Sequence, residues 1–578
     1  MDRSSHFDFT PSKPLETPIS LGRNVVERGF GAQSKADSCT SRQALIFNLS
    51  VLNSYGPCLS DSNLGPRTHP LIELALITRT GQLPGPNTYL NDDLTRDTML
   101  VQKMTKPLVL YAVPPREGHM RPALQITKYL ISTGFDVTVL GTQRWKPIIE
   151  AVGAHFSPII GLWKTLDDPS RWPDIAHASD PATRLAASLD GGFISLLPSG
   201  LESVRVALAG MRRREPGCQI IVLSDTCFSG TLALKLGTDL PELFADDEVV
   251  RTIGIGVVPV FWTSPERPPW GSGLPFDDSE KGRTRNAKAF KETWNSAAED
   301  RARWVLGMMG CPKPVECLYD GLSTSMEHPF WDASTVCHDT VLQMCLRSLE
   351  FPSSDWPRKI KFAGTLPIKP IPTDLTYPTW FNDVLSNSSS LQVSNLNRKK
   401  IIFVAQGTEV LDHKELIIPT MKAFATHPDV LVVACLCVTG ATLDTSTFKD
   451  RKLPANARVV DYFPYDAILA HADVFVSNSG YGGFQHAVSN GLPMVQAGNT
   501  FDKPDIGRRI EWSGLGAFLA ESPPSVSAVE QAVTEVLGDE KYKRRAEELR
   551  KEADTFDPLR MIEEEIMRLA QSTVPSSS

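Results

Sequence analysis

Unbroken apolar runs, spaced by polar segments marked with glycine and proline, begin at residue 108 and recur along the rest of the chain. Residues 108–113 (LVLYAV) have the all-apolar character of a strand buried on both faces of a parallel sheet. Residues 114–122 (PPREGHMRP) read as a loop. The next segment carries Ala123, Ile126, Leu130 and Ile131 at helical spacing, with Pro122 tolerated in the first turn and Gly134 as the stop. Residues 136–140 predict a second strand, and the alternation continues through a strand at 219–223 and a helix at 231–236. It restarts at 400–405 (KIIFVA), with a helix at 415–424, strands at 430–435 and 457–460, and a short helix through His471. Such alternation predicts an α/β protein with parallel sheets, and two series of it predict two domains.

The pattern also sets boundaries. Residues 1–105 hold only short, isolated apolar runs among Ser, Thr, Pro, Asn and Gly, and are expected to be a mostly disordered extension. A docking arm, or a wrongly assigned start, is the alternative. Residues 106–367 form the first domain. Residues 368–398, with Pro370, Pro372, Pro378 and a serine run at 386–390, read as a linker. Residues 399–520 form the second domain. Residues 521–578 are expected to be helices and a tail, with helices at 527–537 and 541–571, the latter charged enough to read as a solvated face.

The chemistry concentrates at residues 476–495 (VSNSGYGGFQHAVSNGLPMV). A strand end leads through Asn478, Ser479, Gly480, Gly482 and Gly483 into a helix-like segment at 484–490, closed by Gly491 and Pro493. Strand, glycine turn and helix aim free N–H groups at an anion, and glycine lets the backbone come close. The residues themselves point to a phosphate or sugar-phosphate site, or else to a tight turn with no ligand. A polar cluster at 498–505 (GNTFDKPD) follows the next apolar run, where α/β proteins bind ligands.

In the first domain, His119 follows the first strand, at the end of the sheet where catalysis collects. An imidazole removes a hydroxyl proton near neutral pH, although a loop histidine by pattern alone is more often structural. A carboxylate that orients it is supplied by Asp225, just past the strand at 219–223, with a helix N-cap as the alternative role. Asp239, Asp246 and Asp247 are weaker candidates. Aromatic loops with Trp163 and Trp172, and with Phe261, Trp262, Pro268, Pro269 and Trp270, either wall an apolar acceptor pocket or pack the core. Residues 276–291 read as a solvated loop or helix start.

Length and charge narrow the class. A chain of 578 residues exceeds one core. A net charge of −8 argues against a nucleic-acid binder. Ten cysteines without CxxC pairs or zinc spacing read as reduced thiols, and no secretory h-region or span of about 20 apolar residues is seen. A cytoplasmic location is expected, with peripheral membrane contact left open.

Residues 462–516 resemble the donor-binding region of the family 1 nucleotide-sugar glycosyltransferases, carried by SGYGG at 479–483, GLP at 491–493, GNTFDKP at 498–504 and RIEWSGLG at 509–516. The likeness is nearest to the bacterial and fungal enzymes that glycosylate small molecules. It extends to residues 342–367, similar to that family's first-domain end, and to Gln406-Gly407-Thr408. The resemblance implies a GT-B fold, two Rossmann-like βαβ domains with the active site in the cleft between them. It implies that His119, in the GHxxP loop with Gly118, is the general base and Asp225 its partner. Gly407 and Thr408 reach the donor phosphates, and Tyr462 and Phe463 lie where uracil stacks. Asn478, Ser479, Gly480, Gly482 and Gly483 line the diphosphate. His486 stands at the ribose position, where plant members have glutamate. Asp502 binds sugar hydroxyls, and Lys503 replaces a plant glutamine.

The implied reaction is inverting transfer of a sugar, expected to be glucose, from a UDP-sugar to a hydroxyl on a hydrophobic metabolite such as a phenolic, polyketide or terpenoid. A sterol or lipid acceptor, or a non-catalytic nucleotide-sugar-binding protein, is the alternative. Intact His119 and Asp225 disfavour the latter, and the lack of GxGxxG after the first strand disfavours a dehydrogenase. No DxD-type motif stands in the donor region and Lys503 separates Asp502 from Asp505, so neither metal nor cofactor is expected beyond the donor substrate.

Overall fold

The computed structural model describes residues 106–162, 190–293, 296–319, 322, 330–389, 398–408, 410–478 and 480–572. The extension expected at 1–105, Ser479, Trp163 and Trp172 lie outside the described residues.

The first sheet contains β1 (Leu108–Ala112), β2 (Val137–Gly141), β3 (His155–Pro158), β4 (Ile220–Asp225), β5 (Arg251–Gly256), β6 (Thr340–Gln343) and β7 (Ile360–Phe362). Their order is β3-β2-β1-β4-β5-β6-β7, parallel throughout. The second sheet contains β8 (Lys400–Ala405), β9 (Val430–Cys435), β10 (Ala457–Val460), β11 (Val474–Ser477), β12 (Met494–Ala497) and β13 (Gly516–Leu519). Its order is β10-β9-β8-β11-β12-β13, also parallel. Central strands are buried at every position in β1, β4 and β9, as expected for a sheet covered on both faces. Strand order reverses between β1 and β4 in one sheet and between β8 and β11 in the other. Connections leaving such a point diverge and open a crevice at the carboxyl ends of the strands.

Among the described residues one helix, Asp190–Arg214, is long and apolar enough to cross a membrane by length and composition. Its Val204, Leu208 and Met211 are buried with Leu110 and Val222 on the first sheet, so it packs as a core helix.

Three expectations are corrected. The segment read as a loop at 114–122 is helical from Glu117, and Glu117–Ser132 is one helix containing Pro122. Met120 N–H donates to the Arg116 carbonyl at 2.8 Å, so the first turn closes ahead of the proline, and Glu117 suits the positive helix end. The stretch read as a linker contains the helix Phe381–Ser389, whose Phe381 and Val384 join the second sheet's core. Of the two readings of residues 276–291, the helix start holds, as the helix Glu280–Thr293. The helix expected at 541–571 is two, Glu540–Ala553 and Pro558–Gln571, because the Asp557 side chain caps the Arg560 N–H and Pro558 begins a new first turn.

The last helix returns to the first sheet. Ile562, Ile566 and Leu569 are buried with Val109, Tyr111, Ile126 and Leu130. Glu563 accepts from Lys106 Nζ at 2.8 Å and from Tyr129 Oη at 3.0 Å. Elsewhere the halves meet through Gln343, which donates to Tyr481 Oη at 3.1 Å, and through Glu350 with Arg509.

Candidate active site

His119 sits in the first turn of the helix that follows β1, and Asp225 is the last residue of β4. The two strands are neighbours, with Ala112 paired to Ser224, so the reversal of strand order brings together residues 106 positions apart. His119 Nδ1 lies 2.8 Å from Asp225 Oδ2. The other carboxylate oxygen accepts the Cys227 backbone N–H at 2.8 Å. Asp225 therefore holds the turn after β4 and the imidazole at once, and it is no helix cap. The preceding segment is anchored by Trp145, whose buried indole donates to the Pro115 carbonyl at 2.9 Å. Gly118 is exposed with open space where a side chain would stand.

A carboxylate only accepts, so Nδ1 carries the proton and Nε2 keeps its lone pair. Burial works against the imidazolium. The charge of Asp225, its hydrogen bond and the charge of Asp502 outweigh that and Arg116, and hold the His119 pKa above the ordinary histidine value. The side chain of His119 is 19% exposed and that of Asp225 2%, so the imidazole is reachable and the carboxylate is not. Asp502 belongs to the second half, and its charge adds to the raised pKa of His119.

On the second sheet, β11 ends in Asn478 and leads through Gly480 into the helix Tyr481–Ser489. Gly480 occupies the N-cap with extended backbone and no side-chain cap, so first-turn N–H groups are left for a ligand. Space beside Gly482 is open. A side chain at Gly480 would stand 3.6 Å from an Asp502 oxygen, so that carboxylate faces the helix start. Asn478 is 2% exposed, and its amide oxygen is buried without a partner among the described residues. An unmet polar atom beside a bare helix start fits the binding of a polar group. Across the reversal point, Gly407 takes the left-handed φ of 72° and Thr408 is exposed. Gln406 has a structural task. Its amide accepts from the Leu416 and Ile417 N–H groups at 3.1 and 2.9 Å and donates to the Asp412 carbonyl at 2.8 Å.

The structure separates Tyr462 from Phe463. Tyr462 is 51% exposed, whereas Phe463 is 4% exposed and packs against Tyr377 and Phe381. The Phe463 ring belongs to the core, and Tyr462 alone offers a stacking face. His486 Nδ1 lies 2.9 Å from Asp466 Oδ1, and Asn490 donates to the same oxygen at 2.9 Å. Asp466 went unnoticed in the sequence, where it reads as an ordinary first-turn acid of the helix Tyr465–Leu469. Asp502 precedes the helix Lys503–Ser513 without capping it. Lys503 is buried at its first turn, and Phe501 before them is exposed in left-handed backbone with φ of 53°. Such strain concentrates at functional sites.

Of the aromatic loops, Phe261 and Trp262 are buried, and Trp262 donates to the Asp355 carbonyl at 3.0 Å, which favours their core role. Trp270 packs on Phe261 with ring centres 4.9 Å apart. Its loop is held by the second half: Asp505 Oδ2 accepts the Gly271 N–H at 2.7 Å, and Arg508 Nε donates to the Gly273 carbonyl at 2.9 Å.

Residues 439–563 match the family described as the C-terminal domain of erythromycin biosynthesis protein CIII-like proteins. UDP-glucosyltransferase 1 of Beauveria bassiana is 32% identical over 82% of this chain and 97% of its own length. UDP-glucosyltransferase A1 of Starmerella bombicola is 32% identical over 80% of this chain and 93% of its own. Among solved structures, the calicheamicin glycosyltransferase CalG4 superposes with a TM-score of 0.55 at 16% identity, covering 82% of this chain and all, 100%, of that one. That likeness shows the fold, two parallel doubly wound sheets of the GT-B type. Identity of 32% along nearly the full length of curated enzymes shows the relationship, and the chain is a member of the UDP-glycosyltransferase family.

Proposed function

We propose that this glycosyltransferase moves glucose from UDP-glucose to a hydroxyl of a hydrophobic small molecule such as a phenolic, polyketide or terpenoid, with inversion at the anomeric carbon. The observation that carries this reading is the His119–Asp225 pair, with Asp502 of the other half acting on the same imidazole. Nε2 of His119 takes the acceptor proton as the oxygen attacks the anomeric carbon from the face opposite the diphosphate. Asp225 steadies the imidazolium that forms. The departing diphosphate is met by the N–H groups at the start of the helix Tyr481–Ser489, near Asn478. Asp502 holds sugar hydroxyls, Tyr462 stacks the base and His486 faces the ribose. Asp505 is turned away to the Gly271 loop, so it does not join Asp502 in a cation site. The names of relatives support the donor: two are named UDP-glucosyltransferases. A cytoplasmic location is proposed on the cysteines, which are all unpaired among the described residues.

The test is UDP release from UDP-glucose with a panel of phenolic and sterol acceptors, in wild type and His119→Ala. Acceptor-dependent release with phenols that disappears in the variant is expected. Full activity in the variant removes His119 from catalysis. Turnover with sterols alone moves the acceptor to the lipid class.

A further inference from the structure

Beside the His119–Asp225 pair stands a thiol that sugar transfer does not use. A His119 ring nitrogen, an Asp225 oxygen and Cys227 Sγ all lie within 4.8 Å of one another. Cys227 is 6% exposed, and only its backbone N–H serves the pair, by holding Asp225. The thiol lies among carboxylates. Burial, with Asp225 and Asp502 adding to it, pushes its pKa well above the ordinary value, so it is no nucleophile. Two of the three side chains, Asp225 and the thiolate that Cys227 would become, bring negative charge to a cation held between them. Nitrogen, oxygen and sulfur donors are the set that zinc prefers, and ligands around a tetrahedral zinc ion stand roughly 3.3–3.8 Å apart. To close on an ion the wider separations must shorten, and the 2.8 Å contact between His119 and Asp225 must open by about half an ångström. With three protein ligands, a fourth position remains open.

We propose that His119, Asp225 and Cys227 form an inhibitory site for zinc-like divalent cations, which switches the enzyme off by capturing its base. The inference rests on the reading of His119 as that base. On binding, the Cys227 S–H bond breaks, its proton goes to solvent and the sulfur lone pair goes to the ion, with no change of oxidation state. An ion on Nδ1 displaces the proton held there, and the neutral ring carries it on Nε2 instead, which then donates where it must accept. An ion on Nε2 occupies the lone pair directly. In either case the acceptor hydroxyl keeps its proton.

Two probes test this on the full chain. Zn²⁺ alone is titrated into the UDP-release assay with a simple phenol, for wild type and Cys227→Ser. Co²⁺ alone is titrated with no substrate present, and absorbance is read for a thiolate-to-metal band. Wild type should lose activity with Zn²⁺ and regain it with a chelator, and the half-inhibiting concentration should rise roughly tenfold or more in Cys227→Ser. The Co²⁺ band should be present in wild type, be displaced by Zn²⁺, and be absent from Cys227→Ser. His119→Ala, which keeps the thiol, should weaken the band and serves if the serine variant does not fold. Equal Zn²⁺ sensitivity in wild type and Cys227→Ser, or a Co²⁺ band unchanged by both substitutions, overturns the proposal. Because the Co²⁺ band needs no turnover, it separates failure of this site from failure of the proposed reaction.

Discussion

Asp225 divides its carboxylate between His119 Nδ1 and the Cys227 backbone N–H, each at 2.8 Å, so one strand-end residue sets both the tautomer of the imidazole and the turn beside it. Asp225→Asn keeps the shape but loses the charge, and an amide can present N–H to Nδ1. The expected result is a fall in kcat of about a hundredfold or more, with the KM for UDP-glucose little changed.

The pH profile gives a second check on the same pair. The base works when neutral, and Asp225 and Asp502 raise its pKa, so wild-type kcat/KM should fall on the acid side through a value above the ordinary 6.5. Removing either carboxylate lowers that value. The acid limb of Asp502→Asn should therefore shift to lower pH than that of wild type, measured on whatever activity remains. A limb that stays in place separates Asp502 from the catalytic imidazole.

His486 and Asp466 should act on donor binding alone. With Nδ1 held by Asp466, the ring has one nitrogen to offer a ribose hydroxyl. Asp466→Asn and His486→Ala are expected to raise the KM for UDP-glucose roughly two- to tenfold at unchanged kcat, the cost of one hydrogen bond lost equally from ground and transition states. A selective loss of kcat would place the pair at the reacting centre.

The frame around the site has its own test. Arg509 Nε lies 3.0 Å from both Glu350 oxygens, and its Nη2 lies 2.6 Å from one of them. Both side chains are almost fully buried. Arg509→Met leaves a carboxylate buried without its partner and should cost about 3–5 kcal/mol in a denaturant melt. Arg509→Met with Glu350→Gln should recover much of that loss, because the unpaired charge is gone.

Asp505 makes stability depend on pH. Burial raises its pKa from 3.8 to about 7, against Arg509 and the Gly271 and Gly273 N–H groups. Between those values the folded chain holds a proton that the unfolded chain has released, so this group's contribution falls as pH rises across the window and is level above it. Asp505→Asn does not titrate. The stability difference between wild type and this variant should therefore drift against wild type from pH 4 to about 7, then stay constant. A constant difference throughout would mean that Asp505 is ionised across the range.

The buried strands were legible because a strand covered on both faces has no polar positions, as in LVLYAV and KIIFVA. His119, Asp225 and the glycine turn were legible because each follows a strand, and doubly wound sheets place ligands there. The helix start at Glu117 was not, because Pro122 reads as a first-turn residue while the first turn in fact closes more than a turn earlier, on Arg116. Glu350 and Arg509 lie 159 positions apart, and their pairing follows from how the two sheets meet, which no local pattern carries. Tyr462 and Phe463 look alike in sequence, and only the position of Phe381 decides which ring is packed away.

The return of the helix Pro558–Gln571 to the first sheet has a consequence for dissecting the molecule. Its Ile562, Ile566 and Leu569 complete a core begun some 450 residues earlier by Val109 and Tyr111. No single cut divides the chain into two self-sufficient halves. A fragment ending at residue 367 would carry an apolar groove where that helix belongs, and would be restored by supplying residues 554–572 as a separate peptide. The polypeptide crosses between the sheets twice, so any opening of the cleft must bend two tethers together.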